Sequence, residues 1–340
     1  MAGRVTYLTT LDLEDSWLQR LAITFPELDI HRHVVDSAGD IPRQLWASID
    51  VLHTSTVFPD PNDAPRLRWI QLDTSGADHV ASHPIWQSPI EITTIGGIAP
   101  VPMAEFATYA LLALAHHQPR LNQLGRSRQW PTANERLASL TPLLVDGATA
   151  SIVGYGRIGR EIGRVLRILG LHVIGVSRTG LIAGPADALF DGGRSDPGDD
   201  EVERRRGSDL ADVLTRTDYL IVTVPYTQGT AGMIGAAELA ALRPGACVIN
   251  ISRGGVVDEG ALLDALDNGQ VAYAALDVFD DEPLPATSPW WHHERVLMTP
   301  HVAGLAPRYA EQVRELLTTN LRRLSDDLPL LNRVDRATGY

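Results

Sequence analysis

The chain has 340 residues, of which 44% are hydrophobic and 21% charged, a balance that predicts a soluble globular protein too long for one ordinary core and therefore built as two domains. Its formal net charge of -13 excludes a general nucleic-acid or anionic-membrane binder, and no apolar run is long enough to span a bilayer. One cysteine, Cys247, excludes an intrachain disulfide; with no signal-like N-terminal stretch, the expected location is cytoplasmic.

The first hundred residues alternate short strands with helical stretches. RVTYLT reads as a strand and SWLQRLAITFP as an amphipathic helix stopped by Pro26. IDVLHTS and LRWIQLD read as strands, the second running into the turn TSGADHV. EITTIGG then leads to PVPMAEFATYALLALAHH, where Met103, Phe106, Ala107, Ala110, Leu111 and Leu114 recur at helical spacing. Pro102 fits the first turn of such a helix, where a missing N–H costs nothing. This helix is expected to bridge the two domains.

From about residue 148 the pattern becomes a regular β-α-β series. ATASIVG is a strand, RIGREIGRVLRIL a helix closed by Gly170, and LHVIGV a second strand. LADVLTRT with YLIVTVP, AALRPG with ACVINIS, and ALLDALDNG with YAALDV continue the alternation. Strands alternating with helices predict an α/β fold with a parallel, doubly wound sheet. Cys247 falls inside one of these strands and reads as a buried thiol. Gly180 to Ser208 breaks the rhythm and reads as a mobile surface insertion. After His301 comes a helix, PRYAEQVRELLTTNLRRL, and the tail PLLNRVD, expected to pack back on the first domain. The expected division is therefore 1–101 plus 302–340 for a discontinuous substrate domain, and 102–301 for an inserted nucleotide domain.

The run SIVGYGRIGREIG contains G-x-G-x-x-G at Gly154, Gly156 and Gly159, after an apolar strand and at the start of a helix. That context predicts a dinucleotide site, the glycines serving a tight turn, a close approach of pyrophosphate and helix–strand packing. Outside such a context the same glycines are an ordinary turn. The next strand ends in Ser177-Arg178-Thr179, where an NAD site usually carries a carboxylate for the ribose 2′-OH. No carboxylate is there to repel a 2′-phosphate, and Arg178 can pair with one, so NADP(H) is expected to be preferred, with NAD(H) possible. The plainer reading has Arg178 stacking on adenine or facing solvent. Arg204, Arg205 and Arg206 could reach a phosphate too, but read better as a solvated charge run.

Arg253, Glu282 and His301 each stand at or just past the end of a short apolar run, where an α/β sheet delivers side chains to a ligand crevice. Arginine can grip a carboxylate and polarise an adjacent keto group. Histidine is a proton donor suited to neutral pH, and a paired glutamate would hold it charged. Singly, each is as readily a turn arginine, a solvated carboxylate or a core histidine. Adjacent pairs such as His116-His117 and His292-His293 do not face one ligand, no HExxH or CxxC spacing occurs, and G-x-S-x-G is absent, so neither a metal site nor a serine hydrolase is expected.

With GYGRIG, VPYTQGTAGMI, INISRGGVVDE, ALDVFDDEP and TPHVAG in this order, the chain resembles the D-isomer-specific 2-hydroxyacid dehydrogenase family, of the glyoxylate/hydroxypyruvate reductase type, over nearly its whole length. DTSGADHV, GGIAPVPMAE and the terminal NLRRL with PLLNRVD are weaker echoes. The resemblance implies two Rossmann-like domains with a cleft between them, and a homodimer. It implies reduction of a small 2-keto acid to its D-2-hydroxy acid by a nicotinamide cofactor, with Arg253, Glu282 and His301 catalytic. It assigns Ser75 and Gly76 to the substrate carboxylate through backbone N–H groups. To the cofactor it assigns Gly154, Tyr155, Gly156, Arg157, Ile158, Gly159, Ser177, Arg178, Thr179, Val224, Pro225, Thr230, Ile251, Ser252 and Asp277. Ala99, Trp290 and Ala306 depart from residues common in the family, and Trp46, Trp130 and Trp290 are candidate pocket walls. Glu282, where formate dehydrogenases carry glutamine, points to keto-acid chemistry. A phosphite-type dehydrogenase and a nucleotide-sensing corepressor or scaffold of the same fold are the alternatives.

Overall fold

Two parallel sheets carry the chain, one in each of two units: 1–98 with 307–340, and 99–306. A computed structural model describes residues 4–178, 202–337 and 339. Thr179 and residues 180–201 of the expected insertion lie outside the described residues.

In the first unit, β1 (Val5–Thr9), β2 (Leu28–Arg32), β3 (Val51–Thr54), β4 (Trp69–Leu72) and β5 (Glu91–Thr93) form a parallel sheet in the order β2-β1-β3-β4-β5. All four residues of β4 are buried, as expected of a strand covered on both faces. On one face Trp17 and Leu21 of α1 (Asp15–Thr24) pack with Leu317 and Leu321 of the C-terminal helix, Tyr309–Ser325. On the other, Trp46 of α2 (Arg43–Trp46) packs with Leu52, Ile70 and Ile92. The polar residues of β4 and β5 are not orphans. Trp69 Nε1 donates to Thr93 Oγ1 at 2.8 Å, Thr93 Oγ1 donates to Gln71 Oε1 at 2.9 Å, and Asn320 Nδ2 reaches the same Gln71 oxygen at 3.3 Å. This buried chain locks the C-terminal helix to the sheet, each group being satisfied. The C-terminal tail then runs antiparallel beside β5: Thr94 N–H donates to Asn332 O, and Val334 N–H to Ile92 O.

The second unit opens with α3 (Pro100–Ala115), α4 (Gln118–Arg126) and α5 (Ala133–Ser139). Its sheet contains β6 (Thr149–Val153), β7 (His172–Ser177), β8 (Glu203–Arg206), β9 (Tyr219–Val222), β10 (Ala246–Asn250), β11 (Val271–Leu276) and β12 (Val296–Met298). All pairs are parallel, in the order β12-β11-β10-β9-β6-β7-β8. The chain moves outward from β6 to β7 and β8, then returns to β9 on the other side of β6. That reversal is where doubly wound sheets bind ligands. Ala107, Leu111 and Leu114 of α3 and Ile162 and Leu166 of α6 (Arg157–Ile168) cover one face. Val213 of α7 (Leu210–Leu214), Leu239 of α8 (Ala236–Ala241) and Leu262 and Leu266 of α9 (Glu259–Asp267) cover the other. Cys247 lies in β10, fully buried, and burial pushes its thiol up to about 12.

α3, the helix expected to bridge the domains, packs on α6, β10 and β11 within the second unit. One segment differs from the sequence expectation. Glu203–Arg206, expected within a surface insertion, is instead an edge strand paired with β7 from Ile174↔Glu203 to Ser177↔Arg206. Its ERRR sequence has no apolar alternation. Glu203 neutralises Arg205 at 2.6 Å and Arg216 at 2.9 Å, and charged residues suit a sheet edge. The helices α4 and α5 carried no expectation, although Thr132 and Glu135 form a capping box that the T-x-x-E spacing announces. Among the described residues no helix is long and apolar enough to cross a membrane.

Candidate active site

The glycine-rich turn follows β6 at the sheet's reversal point. Gly154 has φ +107, and a Cβ there would lie 2.6 Å from Thr223 Oγ1 and 2.8 Å from Val224 N. The ends of β6 and β9 can approach this closely only over a glycine. A Cβ on Gly159 would lie 2.5 Å from Gly154 O and 3.1 Å from Ile152 Cγ2, so this glycine lets α6 pack on its strand. Gly156 is different: nothing lies within 4 Å of its Cβ position, and it is exposed at the N-cap of α6. An open space at a helix N-terminus fits a pyrophosphate. The donor set thus suits a dinucleotide, with Arg157 and Ile158 in the first helical turn. Tyr155 sits in the glycine-rich turn ahead of the helix, but its side chain is 5% exposed. Its ring fills the space over Gly163 and Gly175, where any Cβ would overlap it. Only the backbone of Tyr155 is therefore placed to serve a ligand.

β7 ends in Ser177, and Arg178 is exposed just beyond it. The register places Arg206 directly beside Ser177 on the neighbouring strand, a backbone separation of about 4.8 Å. Two arginines therefore share this strand end, and the second is visible only once β8 is known to be a strand. After β9, Thr230 Oγ1 donates to Pro225 O at 2.6 Å and accepts from Thr227 N–H at 2.8 Å, closing the loop that follows Val224. After β10, Ile251 and Ser252 are buried, and Ser252 Oγ donates to Asn250 Oδ1 at 2.6 Å.

The three sequence-selected side chains come from the C-terminal ends of three adjacent parallel strands: β10 delivers Arg253, β11 leads to Glu282 and β12 to His301. His301 Nδ1 and Glu282 Oε2 lie 2.7 Å apart, and Glu282 Oε1 accepts Phe279 N–H at 2.9 Å. The carboxylate is thus held at both oxygens, and the imidazole is aimed by its Nδ1. His301 is 46% exposed, as a group that meets a substrate must be. Its φ of 54 lies in the left-handed region, a conformation that histidine adopts where surrounding bonds fix it. Arg253 Nη1 donates to Ser252 O at 2.8 Å, which folds the guanidinium back over its own turn.

Asp277 supplies that fixing. It is 1% exposed, and its Oδ1 accepts Thr299 Oγ1–H at 2.6 Å and Val302 N–H at 2.8 Å, while Oδ2 accepts Ala303 N–H at 2.9 Å. Asp277 O also accepts His301 N–H at 2.9 Å. The aspartate expected near the nicotinamide therefore spends its carboxylate on the segment that carries His301.

In the first unit, Ser75 and Gly76 lie in the turn after β4. Thr74 Oγ1 donates to Gly76 O at 2.7 Å, and Ile95 N–H to Thr74 O, fixing the turn from both sides. Of the three tryptophans expected as pocket walls, Trp46 and Trp290 are core residues at 3% exposure, whereas Trp130 is 89% exposed. Among the described residues no group of three or more His, Cys, Asp or Glu side chains could hold a metal ion.

The profile of the D-isomer specific 2-hydroxyacid dehydrogenase NAD binding domain matches residues 108–303. The chain belongs to this family. It is an NAD(P)-dependent oxidoreductase acting on a CH–OH group. A glyoxylate reductase of Thermococcus gammatolerans is 30% identical over 265 residues, 76% of this chain and 74% of that protein. The crystal structure of an NADPH-dependent glyoxylate/hydroxypyruvate reductase from Sinorhizobium meliloti, in complex with NADP and sulfate, matches with TM-score 0.78 and 25% identity over 99% of this chain and 100% of that one. A D-isomer specific 2-hydroxyacid dehydrogenase from Xanthobacter autotrophicus, in complex with NADPH and MES, matches with TM-score 0.76 and 26% identity over 100% of both chains. These similarities support reduction of a 2-keto acid by this dehydrogenase.

Proposed function

We propose that the chain is an NADPH-preferring reductase of a small 2-keto acid of the glyoxylate or hydroxypyruvate type, giving the D-2-hydroxy acid. The observation that carries this reading is the 2.7 Å pair between His301 and Glu282, in a unit that also carries the glycine turn. The dinucleotide held at the glycine turn would, when bound in its reduced form, bring hydride chemistry to C2 of the substrate. Arg253 binds the substrate carboxylate and polarises the keto oxygen. With Nδ1 engaged by Glu282, His301 Nε2 is the atom that gives its proton to the keto oxygen, and Glu282 holds the ring in place. Gly154–Gly159, Val224, Pro225, Thr230, Ile251 and Ser252 hold the dinucleotide. Asp277 acts on it through the His301 segment.

Arg178 and Arg206 at the end of β7 and β8 support the preference for NADPH, since both supply charge suited to a 2′-phosphate. The similar Sinorhizobium meliloti enzyme is NADPH-dependent and supports the same choice. We place the enzyme in the cytoplasm, where its single thiol stays reduced. We also infer a homodimer: Trp130, Leu137 and Leu144, in α5 and the segments either side of it, are 89%, 73% and 83% exposed. Initial rates over a panel of small 2-keto acids with both cofactors test the reaction. Turnover of glyoxylate or hydroxypyruvate with NADPH is expected. Tight nucleotide binding with no turnover of any keto acid would instead favour a sensor.

A further inference from the structure

The turn that carries Arg253 and the loop that carries Glu282 are joined by contacts which the catalytic reading leaves unexplained. Gly254 lies so close to Phe279 that an added Cβ would overlap the Phe279 carbonyl oxygen and sit 2.8 Å from Asp280 N. Next to it, Gly255 N–H donates to Asp280 Oδ1 at 2.5 Å. Asp280 is in turn held by Glu259: Asp280 N–H donates to Glu259 Oε1 at 2.7 Å. The second oxygen of that carboxylate, Oε2, accepts the indole Nε1–H of Trp290 at 2.8 Å. Trp290 is 3% exposed and anchored in the core beside β12. Glu259 is the first residue of α9, where the helix dipole favours its negative charge.

We propose that Glu259, Asp280 and Trp290 form a clip that sets Arg253 against the Glu282–His301 pair. They are positioning residues. One carboxylate ties three pieces of backbone, the start of α9, the loop after β11 and the turn before β12, and through Asp280 it reaches a fourth, the Arg253 turn. The loop after β11 carries Glu282, and the fourth piece carries Arg253. The indole N–H matters because it satisfies the one carboxylate oxygen that Asp280 N–H does not; without it, Glu259 is free to turn towards water and the clip loosens. Placing catalytic groups within a fraction of an ångström is what such a supporting layer supplies. The inference rests on the assignment of Arg253, Glu282 and His301 to the chemistry.

Three variants of the full-length protein test it. Trp290→Phe keeps a buried ring and deletes the N–H. Glu259→Gln keeps the size and replaces one acceptor oxygen with an NH2 group. Asp280→Ala removes the exposed acceptor without touching the core. Each is expected to lower kcat by about tenfold and raise KM for the keto acid, with the NADPH dissociation constant within about twofold of wild type. The downfield Nδ1–H proton resonance of His301, the signature of its bond to Glu282, should shift or broaden in all three. A purely structural role would lower Tm yet leave kcat and that resonance unchanged below the transition. Folded Trp290→Phe and Asp280→Ala proteins with wild-type kcat, KM and His301 resonance overturn the clip. A wild-type protein that reduces no keto acid with either cofactor overturns the catalytic reading instead. The resonance then judges the clip by itself: unchanged in all three variants it overturns the clip, shifted it supports the clip.

Discussion

His301 Nδ1 and Glu282 Oε2 lie 2.7 Å apart although 19 residues separate them, and Phe279 N–H fixes the other Glu282 oxygen at 2.9 Å. In the proposed reaction the histidine that gives up a proton needs a fixed bond to aim it. Glu282, held at both oxygens, can supply that bond. Glu282→Gln keeps the chain length and an acceptor oxygen but removes the charge. We expect kcat/KM for the keto acid to fall by about 10²-fold. His301→Ala should lose more than Glu282→Gln. Initial rates on both variants check this, and a Glu282→Gln enzyme with wild-type kcat/KM would contradict the assigned pair.

Ser177 and Arg206 are register partners on β7 and β8, and Arg178 follows Ser177. If both arginines serve a 2′-phosphate, Arg178→Ala and Arg206→Ala should each raise the dissociation constant for NADPH by about tenfold or more. The NADH constant should stay within about twofold, because NADH has no 2′-phosphate to lose. Quenching of protein fluorescence by each nucleotide measures this without turnover. Equal losses for both cofactors would mean that the arginines act on adenine or on the fold. A wild-type protein that binds NADH as tightly as NADPH would end the cofactor preference itself.

Gly254 is required where the Arg253 turn crosses the Phe279–Asp280 backbone. Gly254→Ala must push the two loops apart, since backbone cannot yield as a flexible side chain does. Displacement of about 1 Å at a catalytic group costs roughly a hundredfold in rate, and that is the expected loss in kcat/KM. Nucleotide affinity should fall much less, because only Ile251 and Ser252 of the proposed nucleotide contacts share this turn, while the glycine turn follows β6, a different strand. Kinetics and nucleotide titration on the same preparation check both halves. An alanine variant with more than a third of wild-type activity would show that the crossing is not critical.

Much of this was legible in the sequence because the signals were local. Gly154, Gly156 and Gly159 announce their turn through spacing after an apolar strand, and Arg253, Glu282 and His301 stand at the ends of apolar runs that become β10, β11 and β12. What stayed hidden depends on partners distant in sequence. The ring of Tyr155 lies in the core because Gly163 and Gly175 make room for it, which the glycine motif alone does not reveal. Asp277 reads as a strand-end carboxylate until its bonds to residues 299, 302 and 303 appear. β8 escaped for the opposite reason. Its charges suggest solvent, and the second partner of Glu203, Arg216, stands ten residues beyond the strand's last residue.

That pairing gives β8 an acid-sensitive edge. The Glu203 carboxyl is held below its ordinary value, first by its hydrogen bonds with Arg216 and then by those with Arg205. A carboxyl whose folded value is depressed adds stability above its unfolded value of about 4.3, and that stability is lost as pH falls through the folded value. Side-chain exposure of 38% means solvent screens the pair, so the effect is small, on the order of one or two degrees in Tm. Glu203→Gln should therefore melt slightly below wild type at pH 7, and the gap should close in strong acid, where the wild-type carboxyl is protonated too. Scanning calorimetry at the two pH values decides it. A gap that persists unchanged in acid would trace the loss to side-chain packing at the sheet edge and not to the charge on Glu203.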